Sequence, residues 1–260
     1  MMDLFEQRAP VNLEGGYGSA GDMKKTQYML QLLGTPWDAD TLKCIITAAE
    51  QGMEMTTGYL DTIKGEQDNQ EYRDIFEFGT YPGMKEADYN VAGANAIMAF
   101  INARGLGYSL VPKNVNDAAM QDFWVDVAVT EATPYVNILV QEQIIQPMAD
   151  SSYKVDQDAC AHAKEALSKI LDALDKQLTG NTYIIGKYSF ADIHWTALIH
   201  LLMLTDESGI VQQRKQILRW YESLSTRKSN CGQNIVSFSL LPSKENIQRK
   251  ELSSVIIEDF

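Results

Sequence analysis

The residues best suited to chemistry gather in one short stretch, LLGTPWDADTLK (32–43). Two hydroxyls, Thr35 and Thr41, flank two carboxylates, Asp38 and Asp40. A hydroxyl there can donate a hydrogen bond to a bound group, and a carboxylate can accept one. The same residue types close the first turn of a helix, so Asp38, Asp40 and Thr41 are candidate caps as well as candidate reactive groups. A second pair, Ser189 and Asp192, has the S-x-x-D spacing of a capping box, in which each residue satisfies a backbone N–H of the other, with Tyr188 and Ile193 at the flanking staple positions. Other reactive side chains form no constellation. His194 and His200 are six residues apart, not four as in helical metal pairs, and His162 is remote. Cys44, Cys160 and Cys231 are widely spaced and make no CxxC motif, so no metal site is expected.

Several elements must position these groups. QYMLQLLG (27–34) is an apolar run ended by glycine and reads as a strand. TPWDADTLKCIITAAEQG places Leu42, Ile45, Ile46 and Ala49 at helical spacing, with Gly52 as the stop. EMTTGYLDTI reads as a second strand, followed by a polar acidic connection. After Pro82 come two short strands, about 83–86 and 89–91, then a helix over 93–103 that ends at Arg104-Gly105. The order β-α-β then β-β-α gives a small four-stranded mixed sheet with helices on its faces.

From about Val115 the strand signal vanishes. A long amphipathic helix runs through AAMQDFWVDVAVTEATPYVNILVQEQII, with a kink expected at Pro134. DQDACAHAKEALSKILDALDKQLTG is a second helix, with Gly180 at its end. SFADIHWTALIHLLML is apolar nearly all round and reads as the buried centre of a helical domain. VQQRKQILRWYESLSTR is read as one further helix. The aromatics Phe123, Trp124, Tyr135, Trp195, Trp220 and Tyr221 fall at helical spacings, which assigns them mostly to the core. The expected divisions are an N-terminal extension (1–26), a mixed α+β domain (27–110), an all-helical domain (115–230) and a C-terminal tail (231–260).

Composition narrows the function classes. With 260 residues, 45% hydrophobic and 22% charged, the chain reads as globular. A net charge of -13 argues against nucleic-acid binding, which rests on phosphate neutralisation by Lys and Arg. No apolar run of about 18 residues predicts a transmembrane segment. The acidic start, MMDLFEQ, is unlike a secretory or transit peptide, and the unpaired cysteines suit a reducing, cytoplasmic location.

Three segments resemble the glutathione transferase superfamily. FGTYPGMKEADYNVAGANAIMAFI (78–101) aligns without a gap to the family's FGxVPxLxDGDxxLxESxAIxxYL. NTYIIGKYSFADIHWTALI resembles FLxGxxxSxADIxxxxxL, and ILRWYESLSTRKS resembles xxxWYxRLxxRP, with Lys228 in the usual proline place. The resemblance covers residues 27 to about 230. It implies a thioredoxin-like α+β N-terminal domain followed by an all-α domain, and glutathione as the ligand of the first.

Family members hold the cysteinyl part of glutathione on the backbone of the residue before a cis-proline. That role falls to Tyr81, with Pro82 cis. Their E-S pair, which receives the γ-glutamyl end, is replaced here by Gly93-Ala94, so an anchoring hydroxyl is lost and a weakened site is implied. The thiolate-activating residue of LxGxPxSPYCRRV is replaced by Asp38, whose negative charge would repel a thiolate, with Thr41 at the second position. Thr35 or Thr41 is left as the hydroxyl donor of a catalytic reading, and Tyr28 does not match the usual tyrosine position. Phe123 and Trp124 are candidate lining residues for the cleft between domains. The favoured reading is a non-catalytic binding or structural module, as a homodimer or a subunit of a larger assembly. The alternative is a glutathione-dependent transferase or thiol-handling enzyme acting on a small apolar electrophile.

Overall fold

The computed structural model describes residues 30–225. The expected extension and tail, residues 27–29 of the first strand, Tyr28, Lys228 and Cys231 lie outside them. Strands β1 (Leu30–Gly34), β2 (Met55–Tyr59), β3 (Gly83–Glu86) and β4 (Tyr89–Ala92) form one sheet in the order β2-β1-β3-β4. β1 is parallel to β2 and antiparallel to β3, which is antiparallel to β4. Helices α1 (Ala39–Glu50) and α3 (Ala94–Arg104) pack together, while a short α2 (Gln70–Arg73) precedes β3.

β1 is apolar on both faces because both are covered. Leu30 and Leu32 enter the main core with Leu42, Ile45 and Ile97. Leu33, one residue out of phase, enters a small second cluster with Leu60, Tyr72 and Phe76. α1 ends as its sequence predicts: Gly52 takes a positive φ of 62°, and the Met53 N–H reaches the Ala48 C=O at 3.0 Å, a Schellman closure.

The all-helical part begins with α4 (Val115–Asp126) and continues through α5 (Thr133–Val140) to α6 (Gln146–Ala149). The three are joined by π-helical turns at Val127–Ala132 and Gln141–Ile145. Each wide turn comes just before a proline, Pro134 or Pro147. A proline has no N–H and its ring collides with the carbonyl four residues back, and a wider turn relieves both. The expected kink at Pro134 is thus taken up by i→i−5 bonding, from the Thr133 N–H to the Ala128 C=O, with the Thr133 hydroxyl donating to the same oxygen at 2.8 Å.

α7 (Gln157–Gln177) starts on Asp156, whose carboxylate accepts from the Ala159 N–H, and α8 (Phe190–Leu204) is buried along most of its length. The predicted final helix is two: α9 (Gly209–Gln212) and α10 (Lys215–Ser225). Arg214, at the break, donates to Asp172 (2.9 Å) and to the Ser168 C=O (2.7 Å) on α7, and Asp175 accepts from the N–H groups of Gln216 and Ile217 that open α10.

α8 is held at its start by the capping box of Ser189 and Asp192. Asp192 does more than the spacing implies. One carboxylate oxygen accepts from Ser189 N–H (3.1 Å), the other from Ile184 N–H (3.1 Å) and Trp220 Nε1 (3.0 Å), so one buried group ties together the α7–α8 loop, α8 and α10. Asp192→Ala leaves these donors buried without an acceptor, and a loss of about 3–5 kcal/mol is expected in denaturant titration. Ser189→Ala, which removes one hydroxyl, should cost about 1 kcal/mol.

Candidate functional site

The site is built at the turn from β1 into α1. Gly34 ends the strand because a Cβ there would lie 2.5 Å from the Thr41 hydroxyl oxygen. The turn is then closed by a set of short bonds. Thr35 N–H donates to Thr41 Oγ1 (3.3 Å), and Asp38 N–H donates to the Thr35 C=O (3.2 Å). Asp38 Oδ2 accepts from both Thr41 N–H (2.8 Å) and Thr41 Oγ1 (2.9 Å). Of the three possible caps, Asp38 is the one used. Thr41 is buried, and its hydroxyl both accepts and donates within the turn, so its proton is committed to Asp38. Thr35 Oγ1, in contrast, is buried with no hydrogen-bond partner among the described residues.

Charge at this turn is unevenly matched. Asp40 pairs at 2.7 Å with Lys43, whose side chain is buried. Asp38 has no such partner among the described residues. Burial, reinforced by the Asp40 charge and opposed by the Thr41 hydrogen bonds, pushes its carboxyl up to about 6. Burial and the same two carboxylates raise the Cys44 thiol well above its ordinary range, which leaves it an inert packing group. His194 of α8 is pulled down to about 3 by burial and then by Lys43, so the imidazole there is neutral.

The second half of the candidate site is the cis-proline loop. The Tyr81–Pro82 peptide bond is cis. The loop before it is fixed by Tyr72, whose hydroxyl donates to the Thr80 C=O at 2.9 Å. Burial, and then the charges of Asp38 and Asp40, raise the Tyr81 phenol. Among the described residues no hydrogen bond occupies the Tyr81 backbone N–H or C=O. Gly93 donates to the Pro82 C=O (2.9 Å) and adopts φ 91°, a conformation that disfavours any side chain. Ala94 follows as the first residue of α3, whose opening turn carries neither an acidic residue nor a side-chain cap.

Thr35, Asp38 and Thr41 are therefore joined by direct bonds, the Tyr81 phenol feels the charge of Asp38, and Pro82 is linked to Gly93. Ser189 and Asp192 lie apart, at the start of α8, in a structural role. Phe123 and Trp124 diverge: the Phe123 side chain is 52% exposed, whereas Trp124 is buried against Trp195, whose Nε1 donates to the Trp124 C=O at 3.0 Å. Sequence reasoning passed over Lys43 and weighed His194 only as a metal ligand. The available signal for Lys43 was its i,i+3 spacing from Asp40; nothing local marks His194.

A family model described as the glutathione S-transferase C-terminal domain matches residues 142–229. Glutathione S-transferase F10 of Arabidopsis thaliana is 27% identical over 203 residues, covering 76% of this chain and 94% of that protein. Seen with the cis-proline loop and the four-stranded sheet, these matches decide the lineage. The chain belongs to the glutathione transferase superfamily. Its fold is the thioredoxin-like α+β domain and all-helical domain of that superfamily. Glutathione transferase F7 of Populus trichocarpa superposes with a TM-score of 0.68 at 24% identity, covering 85% of this chain and 98% of that one. Glutathione S-transferase I of maize, solved with an atrazine glutathione conjugate, gives 0.69 at 19% identity, with 89% and 99% covered.

The state of Asp38 has a consequence for stability. Its carboxyl titrates near 6 when folded and near 3.8 when exposed, so between those values the folded chain binds the extra proton. This group's contribution to stability therefore falls as pH rises from 3.8 to about 6. Asp38→Asn keeps a good cap without the charge. In urea titrations it should exceed the parent chain by about 1–2 kcal/mol at neutral pH, and the advantage should vanish near pH 4.

Proposed function

We propose that this glutathione transferase-like chain is a non-catalytic binding module, one that keeps a peptide cradle and has lost thiol activation. The observation that carries this reading is the bond from Thr41 Oγ1 to Asp38 Oδ2. It leaves the first turn of α1 presenting a carboxylate where a thiolate needs a donor. A negative charge beside a thiolate raises the thiol's pKa and works against the nucleophile. Glutathione is the ligand that the superfamily implies, and Tyr81 supplies backbone groups for it. With the Gly93 N–H donated to the Pro82 C=O, the start of α3 offers the ligand's γ-glutamyl carboxylate only main-chain N–H groups from Ala94 onward, which supports a weakened site.

A second reading, a glutathione-dependent transferase, draws support from Thr35, whose buried hydroxyl is uncommitted among the described residues. Its mechanism would be donation from Thr35 Oγ1 to the thiolate. Cytoplasmic residence suits two buried free thiols, Cys44 and Cys160. We read the assembly as a homodimer, seated in part on Phe78, whose ring is 83% exposed ahead of the cis-proline loop.

Retention on immobilised glutathione and turnover of a chloronitrobenzene electrophile test the main reading. Turnover at the uncatalysed background is expected for the parent chain, and Asp38→Ser, which caps the helix and restores a hydroxyl, should raise it at least about tenfold. Robust parent turnover that disappears in Thr35→Val would establish the transferase instead. For the assembly, sedimentation equilibrium should return twice the chain mass of 29.1 kDa, and Phe78→Ser should shift it toward the single-chain value.

A further inference from the structure

The turn at Asp38 has the makings of a cation site. Both bonds from Thr41 fall on Oδ2, and Oδ1 receives neither. The Asp40 charge is matched by Lys43, while Asp38 pairs with no cation among the described residues. Thr35 Oγ1 belongs to the same turn, through its own N–H to Thr41 and its C=O to Asp38. It is a second oxygen without a partner, in a residue only 4% exposed. On the cis-proline loop, the N–H and C=O of Tyr81 carry no hydrogen bond among the described residues, and one residue of an extended chain can pair with both groups of such a residue.

We infer that the cradle beside Tyr81 takes a short extended peptide with a cationic side chain, whose ammonium meets Asp38 Oδ1 where glutathione would bring its thiol. The inference rests on the reading of Tyr81 as a peptide cradle and names the ligand class of that site. An ammonium suits the geometry better than a guanidinium. A guanidinium fork needs both oxygens of a carboxylate, and one of them is already taken by Thr41, whereas an ammonium is a point donor that can use Oδ1 and a hydroxyl. The raised Asp38 carboxyl fits the same picture, since a bound cation supplies the counter-charge that burial withholds. The Tyr81 phenol, raised by burial and then by Asp38 and Asp40, records the same negative surroundings. At the other end of the ligand, the opening turn of the eleven-residue α3 carries no acidic side chain to repel a peptide carboxylate.

The test is isothermal titration calorimetry of the full chain at neutral pH with three tripeptides: glutathione, γ-glutamyl-alanyl-glycine, and γ-glutamyl-2,4-diaminobutyryl-glycine. The diaminobutyryl peptide should bind about tenfold tighter than the alanyl peptide, and glutathione no tighter than the alanyl peptide. Asp38→Asn should bring the ratio of diaminobutyryl to alanyl affinity to about one. In the parent chain, raised salt should shrink the same ratio, a readout that needs no variant. Equal affinity for the alanyl and diaminobutyryl peptides, or a preference that survives Asp38→Asn, overturns the cation site and leaves the cradle standing. Glutathione as the tightest ligand overturns it in favour of a thiol site. Failure of all three peptides to bind overturns the cradle, and the cation site with it.

Discussion

The carboxylate of Asp192 is the constraint on which the rest of the helical part depends. A buried carboxylate is tolerable only where donors replace its water, and here Ser189, Ile184 and Trp220 do so from three segments. Each of those segments is fixed by serving it. α8 is then a rigid centre post. Trp195 Nε1 fastens it to the α4 backbone at Trp124, and His200 Nδ1 lies 2.7 Å from the Tyr221 hydroxyl of α10. α1 of the sheet domain packs along the same post, bringing Lys43 near His194. The orientation of α1, and so the place of Asp38 at its start, is inherited from a hydrogen-bond hub in the other half of the chain.

That dependence separates two parts of what Asp38 does. As a cap it is worth about 1 kcal/mol, and serine or asparagine would serve nearly as well. As a buried charge beside Asp40 it costs stability at neutral pH, as its raised carboxyl records. Capping alone therefore does not account for a charged residue at this position. The neighbouring acid is handled differently: Asp40 has Lys43 at 2.7 Å, and its charge is answered locally. A buried charge left unanswered is one physical mark of a ligand site.

Much of the fold was legible because the local signals agree with one another. The run LQLL with its terminal glycine, the helical spacing of Leu42, Ile45 and Ile46, and the turn residues around Pro82 and Gly93 give the β-α-β then β-β-α order, although β2 stops at Tyr59 and not at Ile63, and the short α2 lies in what read as a polar connection. What was not legible depends on partners far along the chain. The break between α9 and α10 is made by Arg214 reaching Asp172 and Ser168, some forty residues back. Lys43 reads as a surface residue until α8 covers it. Pro147 sets a second wide turn as Pro134 does the first, but only Pro134 sits far enough from a helix end to be noticed in the pattern. At the site the residue types were readable and their hydrogen bonds were not. Asp38, Asp40 and Thr41 are all able to cap, and only the backbone path past Gly34 decides that Asp38 caps while Thr41 gives up its proton.

The same local chemistry explains how a site can change its ligand while its fold stays put. Serine, asparagine and aspartate all place an oxygen over the first turn of a helix, so exchange among them leaves α1, its packing on α8 and the sheet undisturbed. What changes is the sign of what faces the ligand. A serine hydroxyl donates to an anion, and an ionised aspartate draws a cation and repels a thiolate. On the proposed reading the Tyr81 backbone groups would be indifferent to that exchange, because they would pair with a ligand's main chain and not its side chain. Such a cradle, with a variable residue at the mouth of α1, would keep its general affinity in one place and its selectivity in another, and at that second place this chain holds a carboxylate whose Oδ1 takes neither Thr41 bond.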